Sequence, residues 1–401
     1  MNITICGCGN GAHACAALLC RKGHAVNVFS PLTKEVELFK ANYGQDNGMT
    51  LQLGAGLLAK AGGVFSAYDQ NKKLQLNKIT DNPKEVIPDS QLIIIIVPAF
   101  AHRNVLASIK DYVAENSRIV VLPSRGGLEF EVNTIMPKAQ LIAFQTLPWA
   151  CRIRKFGSEI NVSGLKNKIQ AASIPADMPQ AYFAELEELF DLKIERLKSV
   201  LTLTLANIGQ IFHPGIMYGL FRNNPSVTFK EVDIPLFYES VDEEIAAILA
   251  NMSDEIRTVA RELSKVNADV ECDKVLHITD WLKVSYEGLI ADTSSLSNMF
   301  CTNAAYTGIK TPTVKLANGL YAPDFGARYI VEDIPFGLLV TRSIAGMLQV
   351  DTPVIDEVLS SIGQWINCDY CEKLKAVKSL AAKSRLPEFH GVNSSQQLCG
   401  L

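Results

Sequence analysis

The sequence predicts an α/β domain built on a doubly wound parallel sheet, followed by an all-helical domain. A strand-like run at Asn2–Cys6 enters a glycine-rich turn and then an alanine-rich helix. Strand-like and helical stretches then alternate through the first half of the chain. From about Leu197, long apolar stretches at helical spacing replace them. The 401 residues have room for two domains, and we place the boundary near Lys198, giving domains 1–198 and 199–401.

The turn after the first strand has the form Gly-x-Gly-Asn-Gly-Ala. Gly7 permits the tight turn, Gly9 lets the backbone approach a phosphate, and Ala12 allows close packing of helix on strand. Asn10 and Gly11 open the helix, whose N-terminal N–H groups attract an anion. The pattern predicts a Rossmann-like dinucleotide-binding domain with these five residues at the pyrophosphate.

The later elements of the prediction follow from apolar runs and helical periodicity. A strand that is apolar on both faces is typical of a buried parallel sheet. The predicted strands are His24–Phe29, Leu92–Val97, Arg118–Leu122 and Gln140–Phe144, and a short run at Lys193–Arg196 precedes the domain boundary. The predicted helices are Lys34–Asn42, Tyr182–Phe190, Val241–Val266 and Ile334–Leu348. The stretch from Gly44 to Leu76 fits no single element, and a hairpin is one option for it.

Two loops of the first domain are candidates for cofactor contact. Val97, Pro98 and Ala99 follow a strand at the carboxyl edge, where ligands bind in open α/β sheets. We interpret His102, a little further on, as a solvated residue of the next helix.

The end of the second strand is where the choice between NAD and NADP is usually made, because an acid there binds the ribose hydroxyls. The sequence has no carboxylate at that strand end. Ser30 and Lys34 could hold a 2′-phosphate, but both are also ordinary loop residues. The sequence therefore predicts NAD or NADP without separating them.

Composition excludes several classes of function. A net charge of −4, a pI near 5.9 and the absence of a basic block disfavour nucleic acid or an anionic membrane as a partner. The apolar start Met1–Leu19 lacks the basic leader of a secretion signal, and the longest apolar run is too short to span a bilayer. Ten scattered cysteines indicate reduced thiols and a cytoplasmic protein. Cys368 and Cys371 form a lone CxxC, so no metal is predicted.

Several segments, taken together, resemble octopine dehydrogenase and its opine dehydrogenase relatives. The resemblance runs in the same order over nearly the whole chain. It rests on Gly7-x-Gly-Asn-Gly-Ala12, Val97-Pro-Ala-Phe-Ala-His102, Thr146-Leu-Pro-Trp-Ala-Cys-Arg152, Phe212-His-Pro214, Ala322-Pro-Asp-Phe-Gly-Ala-Arg-Tyr329 and Glu332-Asp-Ile-Pro335. It implies an active site in the cleft between two domains. It also implies reductive condensation of an amino acid with a 2-oxo acid such as pyruvate, ending in hydride transfer from a reduced nicotinamide.

The resemblance assigns roles that suit this chemistry. His213 matches the family's catalytic histidine, and an imidazole can take a proton from the incoming ammonium and later return one. Asp333 matches its carboxylate partner, and an acid before Pro335 could also begin a helix, so both roles can hold at once. Arg328 matches the substrate arginine, whose planar fork suits a carboxylate.

Other residues are less settled. Arg125 follows a strand where octopine-forming relatives carry a neutral amide, so it is a departure that puts arginine as the amino substrate in doubt. It could bind a substrate carboxylate, another anionic group or a cofactor phosphate. Thr146 is expected to line the substrate cleft, and Trp149 lies in the same segment but could equally be a packing residue. Asn303, Tyr306 and Tyr238 are weaker wall candidates.

Three functions remain open from the sequence. The first is an opine-type dehydrogenase, acting as a monomer or homodimer on an amino acid and a 2-oxo acid. The second is a dehydrogenase of a 3-hydroxy acid or polyol phosphate, which needs no amine and often uses a lysine. The third is a nucleotide-sensing protein without turnover, which the set of His213, Asp333 and Arg328 disfavours.

Overall fold

The computed structural model describes residues 1–54, 72–368, 370 and 384–398. The chain forms two compact units. The first comprises Met1–Ser124 and Glu131–Leu203, and the second comprises Arg125–Phe130 and Thr204–Leu401. The chain passes into the second unit for the last time after Leu203, which is close to the predicted boundary at Lys198. The short segment Arg125–Phe130 belongs to the second unit, which the alternation of strands and helices gave no reason to expect.

The first unit contains eleven of the strands among the described residues. They are β1 (Asn2–Cys6), β2 (Ala25–Phe29), β3 (Thr50–Leu53), β4 (Lys78–Thr80), β5 (Leu92–Ile95), β6 (Arg118–Val121), β7 (Leu141–Phe144), β8 (Trp149–Lys155), β9 (Glu159–Leu165), β10 (Lys168–Ile174) and β11 (Lys193–Arg196). Every strand predicted for this part of the chain is present, with ends that differ by at most two residues.

The main sheet has the strand order β11-β10-β7-β6-β5-β1-β2-β4. β1 pairs in parallel with both β2 and β5, and the parallel pairing continues outward to β4 and to β7. The predicted doubly wound parallel sheet is therefore confirmed. At one edge β10 pairs antiparallel with β7, so β10 and β11 run opposite to the other six strands. The central strands are buried on both faces, as their unbroken apolar runs predicted.

A second sheet in this unit, with the order β3-β9-β8, was not predicted. β3 pairs in parallel with β9, so the N-terminal part of the Gly44–Leu76 stretch joins a distant strand. Residues 55–71 of that stretch lie outside the described residues. The sheet is tied to the first helix by His13, whose Nε2 accepts a hydrogen bond of 2.8 Å from the Gly157 N–H.

The helices alternate with strands in the first unit and dominate the second. In chain order they are α1 (Asn10–Arg21), α2 (Thr33–Gln45), α3 (Ala99–Ile109), α4 (Leu128–Ile135), α5 (Gln180–Phe190), α6 (Val200–Leu205), α7 (Gly209–Phe221), α8 (Glu243–Val266), α9 (Ile278–Ser285), α10 (Leu296–Cys301), α11 (Arg328–Val331), α12 (Leu339–Met347), α13 (Pro353–Trp365) and α14 (Ser395–Leu398). The described part of the second unit is helical, as predicted, with an added hairpin of β12 (Thr313–Lys315) and β13 (Tyr321–Pro323).

The predicted helix Ile334–Leu348 is present only in part. Residues Ile334–Leu338 form a π-helical turn in which Phe336 departs from helical backbone angles, and regular helix resumes with α12. The turn presses against α7, because a Cβ on Gly337 would lie 2.9 Å from the Cβ of Gln210. Single π-turns of this kind often mark functional sites.

One helical stretch, Val200–Phe221, has the length and hydropathy of a membrane span. Most of it is buried inside the protein, and 89% of its most apolar window is covered. A buried core helix passes the same test, so this stretch is a weak indicator of a membrane segment.

Candidate active site

His213 lies on α7, a helix that is apolar on almost every face and buried along nearly all its length. A helix that is hydrophobic all round belongs in a protein core. His213 is an exception within it, because its side chain keeps 17% of its surface exposed. The imidazole therefore lies at the border of the core, where a reactant can reach it.

The nearest polar partner of His213 is Asp333, 120 positions further along the chain. The His213 Nδ1 and the Asp333 Oδ2 are 2.7 Å apart, and the carboxylate is only 2% exposed. Burial alone would raise the pKa of Asp333, but the guanidinium of Arg125 and the imidazole of His213 together lower it below its ordinary value. An ionised carboxylate accepts the Nδ1 proton and leaves the lone pair of neutral His213 on Nε2. This is the tautomer that a general base needs.

Asp333 also occupies the N-cap position of the π-helical turn, with Pro335 just inside it. Its side chain makes no capping hydrogen bond, however. The sequence left two roles open for Asp333, a partner of His213 and a helix-capping acid. In the structure its carboxylate contacts His213 and does not cap the turn.

Two tyrosines define the immediate surroundings of the imidazole. The Tyr238 hydroxyl lies 3.3 Å from the His213 Nε2. The Tyr329 ring stacks on the imidazole with centroids 4.0 Å apart and planes within 4° of parallel. Burial raises the pKa of both phenols, so both remain protonated near neutral pH. The stack fixes the plane of the ring, and the Tyr238 hydroxyl marks the side on which a reacting proton would be exchanged.

Arg125 reaches the same site from the short segment that precedes α4. Its Nη1 lies 3.1 Å from the Asp333 Oδ1 and donates a hydrogen bond of 3.2 Å to the Asn207 Oδ1. Its Nε lies 3.7 Å from the Glu332 Oε1. The residue has a positive φ of 57°, and the following Gly126 N–H donates to the Phe336 carbonyl at 2.7 Å. Asp333 is thus flanked by His213 on one oxygen and by Arg125 on the other.

Arg328 is the second guanidinium of the site. Its Nε donates to the Glu332 Oε2 at 2.7 Å, and its Nη2 lies 2.5 Å from the same oxygen. Glu332 is 1% exposed, whereas the Arg328 side chain is 60% exposed. Glu332 therefore anchors one edge of a guanidinium whose remaining surface faces solvent. Sequence reasoning assigned no role to Glu332, although its spacing of four residues from Arg328 is a recognisable ion-pair signal.

The first unit brings the glycine turn and the loop after β5 together. Gly7 has a φ of 129°, and a Cβ there would lie 2.3 Å from the Ile96 carbonyl oxygen and 2.9 Å from a Val97 methyl group. Only glycine tolerates this approach. At Gly9 a Cβ would meet nothing within 4 Å, so the backbone is open to a ligand on that side. No side chain caps α1, which leaves its first N–H groups available for a pyrophosphate.

The remaining residues of these two segments are placed as follows. Asn10 and Gly11 begin α1, and the Asn10 Oδ1 accepts a hydrogen bond of 2.7 Å from the Ile153 N–H. Ala12 is buried against the sheet, as close packing of the helix requires. Pro98 precedes α3, and Ala99 is its first residue.

The interpretation of His102 as solvated is wrong. The side chain is fully buried, and its Nε2 lies 3.1 Å from the Val97 carbonyl oxygen. The apolar face of α3 turns this position inward, which a count of polar residues near the strand end does not reveal.

A carboxylate that the sequence search missed lies beside the end of β2. The Ser30 hydroxyl donates a hydrogen bond of 2.8 Å to the Glu35 Oε2, and it accepts one from the Leu32 N–H. Glu35 belongs to the first turn of α2 and reaches back to the strand end. Lys34 is exposed. The sequence analysis considered only the residues at the end of the strand and so missed Glu35, which comes from the next helix but lies beside that strand end.

The other predicted wall residues have mixed positions. Thr146 accepts a hydrogen bond of 2.9 Å from Lys166 in the first unit, and its role in substrate binding stays a prediction. Trp149 is buried and meets Phe190 edge-on at 5.5 Å, which is a packing contact. In the second unit, Tyr306 stacks on Tyr238 at 4.0 Å and so extends the aromatic surface beside His213.

Asn303 is also buried in the second unit, and its side chain accepts from the Ala305 N–H. Among the described residues, no group of three His, Cys, Asp or Glu side chains could hold a metal ion. Cys371 of the CxxC pair lies outside the described residues.

Comparisons with known proteins show which family this chain resembles. Residues 196–366 match the family model described as the alpha-helical domain of NAD/NADP octopine/nopaline dehydrogenase. The chain is 31% identical to an opine dehydrogenase of Haliotis discus hannai, over 100% of this chain and 99% of that protein. It is 30% identical to an octopine dehydrogenase of Mizuhopecten yessoensis, over 98% and 97%.

Solved structures give the same result. A structure of octopine dehydrogenase in complex with NADH and agmatine is similar with a TM-score of 0.87 and 28% identity, covering 100% of this chain and 98% of that one. Another, with NADH and pyruvate, has a TM-score of 0.83 over the same shares of the two chains.

Proposed function

The chain belongs to the opine dehydrogenase family and is an NAD(P)-dependent oxidoreductase of the CH–NH group, and we propose that NADH, pyruvate and an amino acid are its substrates. We further propose that His213 and Asp333 handle the protons and that Arg328 binds a substrate carboxylate. The observation that carries this proposal is the 2.7 Å contact between the His213 imidazole and a buried carboxylate.

His213 is suited to the first step. An amino acid arrives mainly as an ammonium ion, which must lose a proton before its nitrogen can attack a carbonyl. The Nε2 of neutral His213 takes that proton, and Asp333 stabilises the resulting imidazolium from the other side of the ring. The protonated His213 can then return a proton to oxygen as the condensation product loses water to give the imine.

Arg328 is suited to positioning the oxo acid. Its guanidinium is held along one edge by Glu332 and remains exposed elsewhere, so a planar carboxylate can pair with it through two N–H groups. Such a pair fixes both the location and the plane of the oxo acid, which lowers the entropic cost of the reaction. When bound, the reduced nicotinamide supplies the hydride that converts the imine into a secondary amine.

We favour NADH over NADPH because of Glu35. Its carboxylate already accepts from Ser30, so it lies at the position where an acid binds ribose hydroxyls and repels a 2′-phosphate. Glu35→Gln should lower the ratio of kcat/KM for NADH to that for NADPH at least about tenfold, a typical charged-contact effect. Lys34→Gln, one position away on the same turn, is the matched control and should change that ratio less than threefold if Lys34 holds no phosphate. A rise of this ratio of about tenfold or more with Lys34→Gln, without a fall in Glu35→Gln, would reverse the assignment, because it would show that Lys34 binds the 2′-phosphate of NADPH.

The overall reaction is tested by a matrix of amines against 2-oxo acids, followed by the absorbance of NADH. NADH should be consumed only in wells that contain both reactants. Consumption with the oxo acid alone would indicate a hydroxy acid dehydrogenase. Nucleotide binding without turnover across the matrix would indicate a sensor.

We also propose that the protein acts in the cytoplasm on small molecules, without nucleic acid or membrane partners, as a monomer or homodimer. The free thiols of the cysteines in the described residues fit a reducing compartment. Light scattering across a concentration series would measure the oligomeric state, and a tetramer would contradict the proposal.

A further inference from the structure

The two oxygens of the Asp333 carboxylate have different charged partners. Oδ2 faces His213 at 2.7 Å, and Oδ1 faces the Nη1 of Arg125 at 3.1 Å. The close approach of Arg125 depends on Gly209, because a Cβ there would lie 2.7 Å from the Asp333 Oδ1 and 2.8 Å from the Arg125 Nη1. Asn207 accepts from the same Nη1 and so fixes the direction of the fork.

This arrangement bears on the protonation of His213. A buried carboxylate is costly unless an opposite charge lies beside it. If His213 were the only partner of Asp333, release of a proton by the imidazolium would leave a buried carboxylate with no opposite charge beside it. With Arg125 beside the other oxygen, the negative charge of the carboxylate has a positive charge next to it whether or not His213 is protonated.

The charged groups around the imidazole support this balance. Asp333 contacts it directly and has Arg125 on its other oxygen, Arg125 also lies near Glu332, and Glu332 pairs with Arg328. These two guanidiniums and two carboxylates cancel when His213 is neutral. The phenols that face the ring, Tyr238 and Tyr329, remain uncharged near neutral pH, because burial raises the pKa of each.

We propose that Arg125 is a positioning residue that neutralises the Asp333 carboxylate and thereby keeps His213 available as a neutral base. This inference rests on the proposed function and replaces direct substrate binding as the role of Arg125. The guanidinium of Arg125 does not contact the substrate in this proposal and acts on the reaction only through the Asp333 carboxylate.

The test compares Arg125→Gln, Arg125→Lys and the unchanged protein in profiles of kcat/KM for the amine against pH. Loss of a unit charge one carboxylate away, at an effective dielectric constant of about 20 to 40, moves a proton equilibrium by about one unit. Arg125→Gln should therefore shift the acidic limb of the profile upward by about one pH unit, with activity recovering at alkaline pH. Arg125→Lys keeps the charge and should shift it by less than about half as much.

Gly209→Ala is a second variant that retains Arg125, and its new Cβ would crowd the Asp333 Oδ1 at 2.7 Å and the Arg125 Nη1 at 2.8 Å, which separates the two groups. We expect an upward shift of the acidic limb here also, smaller than with Arg125→Gln. Thermal melts and NADH titrations would check that each variant is folded and binds nucleotide. Should Arg125→Gln fail to fold, Gly209→Ala and Arg125→Lys decide the matter, and an unshifted limb in Gly209→Ala overturns the proposal.

Two outcomes separate this inference from the proposed function. An unshifted limb in Arg125→Gln together with a rise of tenfold or more in KM for the oxo acid or the amine would make Arg125 a substrate ligand and overturn the inference alone. Full activity in His213→Gln would remove the proposed base, whereas consumption of NADH with the oxo acid alone in the unchanged protein would overturn the proposed function.

Discussion

Replacing Asp333 by asparagine tests the role of the carboxylate with little change of shape. The Arg125 Nη1 lies 3.1 Å from Oδ1, and its positive charge favours the amide oxygen of the new side chain over the NH₂ group at that position. The amide NH₂ group is then left facing the His213 Nδ1. Because this NH₂ can only donate, Nδ1 must become an acceptor and the ring proton moves to Nε2. The nitrogen that should accept a proton would then already carry one.

The expected loss follows from this wrong tautomer. General base catalysis contributes about 10²- to 10⁴-fold, so we expect Asp333→Asn to lower kcat/KM for the amine about 10³-fold, or about 4 kcal/mol of transition-state stabilisation. NADH affinity should change less than about threefold, because the substitution alters no residue of the glycine turn. The assay is initial-rate NADH oxidation at saturating pyruvate, with nucleotide affinity from fluorescence titration.

Asp351→Asn is the matched control, because it makes the same substitution at an exposed position of the same unit. It should leave kcat/KM unchanged. Activity of Asp333→Asn within about threefold of the unchanged protein would refute the argument that this carboxylate sets the tautomer of His213.

Two further predictions concern binding and stability. Arg328→Lys keeps the positive charge but loses the planar fork of the guanidinium. KM for the 2-oxo acid should therefore rise about 10- to 100-fold, which is the effect of one charged hydrogen bond. The same change at exposed Arg261 is the control and should have no effect on KM. Burial raises the pKa of Glu129 to about 7, and the Thr204 hydroxyl and Arg385 only partly oppose this. The folded protein therefore binds a proton that the unfolded chain has released, and this stabilisation is present at acid pH and is lost as the pH rises through 7. Glu129→Gln should gain about 2 to 3 kcal/mol relative to the unchanged protein between pH 5 and pH 8 in urea unfolding, and a flat difference would contradict the buried-acid argument.

The fold was largely predictable because its main elements follow local patterns. Unbroken apolar runs located the central strands, and helical periodicity located α8. The sheet formed by β3, β8 and β9 escaped prediction, because the sequence analysis relied on unbroken apolar runs and passed over strands that alternate polar and apolar residues. The π-helical turn also escaped, since it depends on the contact between Gly337 and α7.

The site was predictable only where motifs carried a family resemblance. No periodicity connects His213 with Asp333 across 120 positions, and only the shared motifs suggested the pair. The direction of a side chain depends on local backbone geometry that composition does not reveal. Arg125 points at Asp333 from a backbone with positive φ, and Glu35 reaches back from a helix to the preceding strand end. Both contacts therefore required the structure.

The most direct test of the reaction is the stoichiometry of its product with a ¹⁵N-labelled amino acid. We predict that each NADH consumed with pyruvate yields one secondary amine that retains the ¹⁵N label, measured by mass spectrometry of the quenched mixture. Formation of a hydroxy acid instead, with the labelled amino acid recovered unchanged, would contradict the proposed condensation.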